Sequence, residues 1–341
     1  MKKFIHSVVL FSTVGLIPVI ILTIGYIAFD PFKVLHDYDD FSGSFVDLNR
    51  DYVSSQFFLK NNENCHYDAF IFGSSRTLAY RTSTWLKYLP SSASPFMFDA
   101  RGESVYGIYT KLKYLDEHNV PITNALILLD RDMSFDFTSD HIEFLGKKDP
   151  AISGDSRLLF QFAFFKTYFN PKFLLSYYLY KFTGKFYPFM TGYIHDIETS
   201  NVIHEKTPLT NEHAYAEAIE RKLDEAPDAY YNVEKKSEFY DRGAETTASF
   251  PQIGLAHRKL LEGIKSILEK QQTNYKVVLH PLYEQVKFNP EDMKILQELF
   301  GKHLYDFSGK NDLTDKITNY YETKHFRKAV GDSILKRIYE N

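Results

Sequence analysis

The chain has one cysteine, Cys65, so no intrachain disulfide can staple it and its stability must come from a buried core. It has no Gly-x-Gly-x-x-Gly and no Walker-type loop, the backbone cradles that hold nucleotide phosphates. None of its 12 histidines falls into a His-x-x-x-His or His-Glu-x-x-His pair, so neither a metal nor another cofactor is expected. Positive charge is not in surplus: 40 Lys and Arg face 44 Asp and Glu, a net charge of −4, which argues against nucleic acid as a partner. There is no internal repeat, no low-complexity tract and, after the first thirty residues, no second long apolar run. What remains is an ordinary globular composition, 44% hydrophobic and 25% charged, with an unusual wealth of Phe (30) and Tyr (25).

The first thirty residues stand apart. Met1-Lys2-Lys3 precedes an uncharged run from Val8 to Phe29. At 1.5 Å per residue, about twenty residues cross the hydrocarbon core, so this run is long enough to span it. A cleaved signal peptide has a shorter apolar stretch and a small-residue cut site, whereas this run ends in Tyr26-Ile27-Ala28-Phe29-Asp30-Pro31. An uncleaved signal anchor in the cytoplasmic membrane is expected over residues 1–30. Lys2 and Lys3 stay inside, and everything after Asp30 lies outside. The lipid bilayer is therefore an expected partner.

Residues 31–66 read as a polar connector dotted with aromatics, which packs on the domain or acts as a stalk. From residue 67 the periodicity changes. Ala69-Phe70-Ile71-Phe72, Pro95-Phe96-Met97-Phe98 and Ala125-Leu126-Ile127-Leu128-Leu129 are short continuous apolar runs, the pattern of strands buried on both faces. Val105, Ile108, Tyr109, Leu112 and Leu115 recur between them at helical spacing. The alternation resumes with a helix over 252–270, a strand at Tyr275–Leu279, a helix over 292–300, a strand at His303–Phe307 and a final helix striped by Phe326, Val330, Ile334 and Ile338. This is the α/β rhythm of a parallel sheet with crossover helices over residues 67–341. Residues 150–247 break it. Between Phe160 and Phe189 lie fourteen Phe or Tyr interrupted by Lys166, Asn170-Pro171-Lys172, Lys181 and Lys185, which disfavours a second span. An aromatic-rich helical insertion is expected, packed against the sheet or serving as a lid or membrane-resting surface. Residues 213–247 read as a solvated helix and loop.

Two short motifs carry chemistry. Phe70-Ile71-Phe72-Gly73-Ser74-Ser75 is a buried strand entering a tight turn with serines, and Tyr320-Tyr321-Glu322-Thr323-Lys324-His325-Phe326 sets a carboxylate and a histidine three residues apart before the last helix. A serine hydroxyl attacks well only when a base takes its proton, and histidine suits that role when a carboxylate fixes its tautomer. The order Ser…Glu…His predicts an ester-cleaving or acyl-transferring site. Ser74 competes with Ser75 as nucleophile, and Asp312 or Asp315 with Glu322 as the acid. Arg76, Arg101 and Arg131 are candidates for binding an anionic substrate.

At these residues the chain resembles the SGNH (GDSL-like) hydrolase superfamily, in which Gly-Asp-Ser follows the first strand and Asp-x-x-His precedes the last helix. Gly73-Ser74-Ser75 matches the first with serine for aspartate, and Glu322-Thr323-Lys324-His325 the second with glutamate for aspartate. The resemblance implies a three-layer, flavodoxin-like parallel sheet, with Ser75 as nucleophile, His325 as base and Glu322 as orienting acid. It also implies an oxyanion hole at the Ser75 and Gly102 backbone amides. The family's asparagine after the third strand is absent, since the chain reads Leu129-Asp130-Arg131-Asp132 there. Membrane-anchored members imply a cell-envelope polysaccharide or other acylated glycan as substrate, and a multi-span acyltransferase as partner. The departure after the third strand leaves a second expectation, an inactive ectodomain that binds glycan or scaffolds an envelope assembly.

Overall fold

The computed structural model describes residues 1–141, 143–195 and 207–340. The chain runs α1 (Lys2–Phe29), α2 (Arg50–Cys65), β1 (Ala69–Phe72), β2 (Pro95–Met97), α3 (Val105–Glu117), β3 (Asn124–Leu129), α4 (Arg157–Tyr168), α5 (Pro171–Thr183) and α6 (Ala214–Glu225). It continues through α7 (Leu255–Lys270), β4 (Asn274–Leu279), α8 (Pro290–Phe300), β5 (Leu304–Asp306), β6 (Tyr320–Glu322), β7 (His325–Phe326) and α9 (Lys328–Glu340), with shorter turns between.

Strands β1 to β5 form one parallel sheet in the order β2-β1-β3-β4-β5. β1, β2 and β3 are buried along their whole length and almost wholly apolar because both faces are covered, whereas β4 starts on exposed Asn274 and the edge strand β5 ends on exposed Asp306. Successive side chains alternate between the two sides. Phe70, Phe72, Ala125, Ile127 and Val277 enter a core built with α2, α3, α7 and α8. Ala69, Ile71, Leu126, Leu128 and Val278 enter a second core, against Trp85 and α9. Each large side chain sealed this way contributes roughly 1.5–3 kcal/mol.

Three stretches take a more definite place than the sequence assigns them. The connector does not form a stalk: it contains α2, capped by Asn49 and burying Val53, Phe57 and Phe58 in the first core. Its earlier part is tied down at Asp30, whose carboxylate accepts the backbone N–H groups of Val34 (2.9 Å) and Leu35 (2.8 Å) and the hydroxyl of Tyr38 (3.1 Å). The aromatic insertion packs chiefly away from the sheet. Phe160, Phe164, Tyr168, Phe173, Tyr177 and Tyr180 form a third core with Tyr26 of α1 and with Phe32, Val34 and Val46. Asn170 and Pro171 break the helix between α4 and α5, Asn170 accepting the Lys172 N–H at 2.9 Å. Residues 213–247 are not simply solvated, because Leu223, Tyr231 and Phe239 are buried in the second core.

Candidate active site

The first motif is shaped by close approach. A Cβ on Gly73 would lie 2.8 Å from the Cβ of Leu128, so only glycine lets the chain leave β1 this near to β3. Ser74 follows as the cap of a tight 3₁₀ turn over Ser75–Ala79, its hydroxyl accepting the Arg76 N–H at 3.2 Å. Helix α9 presses on the same turn, and a Cβ on Gly331 would sit 2.0 Å from the Ala79 carbonyl oxygen. Ser75 is thus delivered to the carboxyl edge of the sheet, where open α/β sheets bind ligands.

The second motif is a two-stranded hairpin, with Glu322 opposite His325 across β6 and β7, so Phe326 pairs with Tyr320 in the hairpin rather than opening the last helix, which starts at Lys328. Tyrosines fasten it from behind. The Tyr320 hydroxyl donates to the Pro281 carbonyl at 2.9 Å, Tyr231 to the Tyr320 carbonyl at 2.7 Å, and Tyr321 to Glu220 of α6 at 2.6 Å. Residues 213–247 therefore brace the hairpin that carries the histidine.

The two motifs meet. Ser75 Oγ lies 2.8 Å from His325 Nε2, and His325 Nδ1 contacts Glu322 Oε1. Glu322 Oε2 also accepts the Lys324 N–H at 2.6 Å. The consistent tautomer has Nδ1–H donating to the carboxylate and Nε2 accepting the serine proton, as general-base activation requires. Burial pushes the Glu322 carboxyl up, but its bond to His325 and the Lys324 N–H outweigh this and hold it below its ordinary value. About a third of each of the Glu322 and His325 side chains is exposed, so the site is open to solvent. Among the described residues, neither the Ser75 nor the Gly102 backbone N–H has a protein acceptor. Gly102 occupies the turn after β2 in the left-handed region, at φ +57°.

Directly beneath lies a sealed polar layer. Asp130 is fully buried and accepts from the Ser74 hydroxyl at 2.5 Å and from His280 Nδ1–H at 2.7 Å, and its Oδ1 pairs with Arg76 at 3.1 Å. The Tyr80 hydroxyl is 3.0 Å from His280 Nε2. Burial beside Asp130 pushes Tyr80 well above its ordinary range, so Tyr80 stays protonated and donates. Burial also pushes Asp130 up, but Arg76 and His280 outweigh it and hold the carboxyl well below the usual carboxylate range.

This layer sorts the remaining candidates. Ser74 is bonded to a carboxylate rather than to a histidine, so it lacks the base that a nucleophile needs. Arg76 is buried and does not face a substrate. Its guanidinium clasps Asp132 through two bonds of 2.7 and 2.8 Å, pairs with Asp130, and donates through Nε to the Lys324 carbonyl at 2.8 Å, next to His325. It locks the serine turn to the histidine hairpin. The two carboxylates after β3 therefore hold Arg76, while Arg131 turns away to Glu284, with Nε at 3.1 Å. Arg101 is exposed, 3.8 Å from Asp47. Asp312 pairs with Arg337 and Asp315 accepts from Gln285, so neither serves His325. Among the described residues, no group of three or more His, Cys, Asp or Glu side chains could hold a metal ion.

Sequence reasoning missed His280 and Tyr80. A signal existed for the first, because successive sheet strands each run out into a polar residue at the same edge: Gly73-Ser74, Asp99, Asp130 and His280. Compared with known proteins, the chain matches no family model and no curated relative.

Proposed function

We propose that the protein is a membrane-anchored serine esterase or O-acyltransferase of the SGNH-like kind, acting outside the cytoplasmic membrane on acyl groups of a cell-envelope glycan. The carrying observation is the 2.8 Å contact between Ser75 Oγ and His325 Nε2, with Glu322 on the other ring nitrogen. The strand order β2-β1-β3-β4-β5 supports it, being the doubly wound, flavodoxin-like order in which ligands bind at the carboxyl edge. Helix α1, whose stretch Lys3–Phe29 is long and apolar enough to span a membrane, supports the anchor. Lys2 and Lys3 favour a cytoplasmic N-terminus.

In this mechanism Ser75 Oγ attacks the ester carbonyl carbon while its proton passes to His325 Nε2. The oxyanion that forms is met by the Ser75 and Gly102 N–H groups. Collapse expels the alcohol oxygen, which takes the proton from His325 and leaves the acyl group on Ser75. Water or a sugar hydroxyl then attacks the acyl carbon, giving its proton to His325, which returns it to Ser75 Oγ as the bond to the acyl group breaks. Transfer to sugar fits a multi-span membrane acyltransferase as the supplier of acyl groups. One observation favours the rival, an inactive glycan-binding ectodomain: the position after β3 holds the buried Asp130 rather than a side-chain donor for the oxyanion hole, and such a donor is typically worth roughly 10²–10³ in rate.

A fluorophosphonate probe applied to the full chain in detergent separates the two readings. The enzyme becomes labelled on Ser75, Ser75→Ala takes no label, and His325→Ala labels more slowly. Absence of labelling in the wild type at every pH where it stays folded would sink the serine mechanism.

A further inference from the structure

The α4–α5 hairpin buries one set of aromatics and displays another. Leu158, Leu159 and Phe162 on α4, with Leu175 and Phe182 on α5, point into solvent, Leu158 at 83% and Phe182 at 77% exposure. Phe186, Tyr187 and Phe189 extend the exposed set just past α5. An apolar display of this size on a globular domain marks an interaction surface. Its charge is one-sided. Residues 157–189 hold Arg157, Lys166, Lys172, Lys181 and Lys185, all exposed, and no Asp or Glu, in a chain whose net charge is −4.

The position of the hairpin identifies what covers it. The Tyr26 ring lies against Phe165 and Tyr168, with centroids 5.5 and 5.1 Å apart, and Phe29 meets Tyr178 at 6.4 Å. Lys181 Nζ sits 4.3 Å over the Phe29 ring. A span begun at Val8 uses about twenty residues to cross a core about 30 Å thick, and so ends near Ile27. Tyr26 and Phe29 then lie where hydrocarbon gives way to headgroups, and the hairpin touching them lies at that depth too. Apolar side chains beside lysines are the make-up of an interfacial helix, with stems in the acyl region and ammonium groups among phosphates. A second copy of the hairpin fits less well, because it would set five positive charges against five.

We propose that α4 and α5 form a second membrane attachment, lying in the interface of the bilayer that α1 spans and drawing on anionic lipid headgroups. The proposal rests on the reading of α1 as a membrane span. With Phe32 wedged between Phe164 and Phe173, and Asp30 capping the exit from α1, the two attachments pack together. The Ser75 site is then held at a set height above the bilayer, and its substrate must reach it at the membrane surface.

Depth-dependent quenching tests this in the full chain, reconstituted into phosphatidylcholine–phosphatidylglycerol vesicles. In a Cys65→Ser background, an environment-sensitive fluorophore is placed singly at Phe162→Cys, Phe182→Cys, Val14→Cys or Leu255→Cys. Val14 reports on the span, and Leu255, exposed on α7, reports on water. Lipids with a spin label on the acyl chain should quench the Phe162 and Phe182 positions to a degree comparable with Val14, and leave Leu255 bright. Val14 quenched with Phe162 and Phe182 as bright as Leu255 overturns the hairpin attachment and leaves the anchor standing. Phe162 and Phe182 unquenched by lipid yet shielded from aqueous iodide overturns it in favour of a protein partner. An unquenched Val14 removes the anchor and the hairpin attachment together.

Discussion

Two adjacent serines enter two different groupings of the same residue types. Ser75 meets His325, which meets Glu322, whereas Ser74 meets Asp130, which meets His280. In the first set the histidine stands between serine and carboxylate, so the hydroxyl faces a base. In the second the carboxylate stands between, so the hydroxyl donates to an acid held far below its ordinary range, too weak a base to activate it, and no histidine reaches it. Exposure differs in parallel, since Glu322 and His325 open to solvent and Asp130 and His280 are sealed. Order of contact and access to water, more than residue type, separate the proposed reacting site from the structural one.

Exchanging the serines is the strongest way to break this contrast. Ser75→Ala should abolish fluorophosphonate labelling, a loss of about 10³-fold or more, with stability within about 0.5 kcal/mol of wild type. Ser74→Ala should keep the label on Ser75 but lower stability by about 1–3 kcal/mol, because it takes a donor from Asp130 and an acceptor from the Arg76 N–H. Labelling lost equally in both variants would mean that the two sets act as one.

The histidines sharpen the same comparison with smaller effects. His325→Ala should slow labelling by about 10²–10⁴-fold, the usual worth of a general base, and leave the denaturation midpoint nearly unchanged. His280→Ala should do the reverse. It strands the Tyr80 hydroxyl and removes a partner of Asp130 in a fully buried layer, costing about 3 kcal/mol, while the folded fraction still labels. Urea midpoints and labelling rates of the two variants in detergent measure both quantities. A His280→Ala protein of wild-type stability would refute the structural role.

The sheet was legible in the chain because its central strands are mainly apolar on both faces, and Ala69–Phe72, Asn124–Leu129 and Asn274–Leu279 fall within a residue or two of their expected runs. Ser75, Glu322 and His325 were legible for another reason: their motifs sit at element boundaries, where a turn or hairpin leaves few ways to point a side chain. The polar layer was not. That Arg76 would spend its guanidinium on Asp130, Asp132 and the Lys324 carbonyl depends on two segments, one 56 and the other 248 residues away in sequence. An arginine bound for solvent and one bound for a buried clasp look alike locally. The insertion's packing was hidden for the same reason, since its buried aromatics meet Tyr26 and Phe32, distant in sequence, rather than the sheet.

The carboxylates give the smallest expected difference. Asp130 and Glu322 are both held below their ordinary values in the folded chain, so both have the same sign. Each contributes stability that is fully present above its unfolded value, near 4, and is lost as pH falls through the folded value. The sizes differ. Asp130 has no solvent access and keeps its charge through Arg76 and His280, whereas Glu322 is about a third exposed and screened by water. Lowering the pH from about 5 to about 2 should therefore reduce the urea midpoint of the wild type. Asp130→Asn should flatten that decline, starting from a lower midpoint at neutral pH, while Glu322→Gln should run nearly parallel to wild type. Equal flattening in the two variants would show that the open carboxylate is as much a part of the fold as the buried one, and the separation between the two sets would fall.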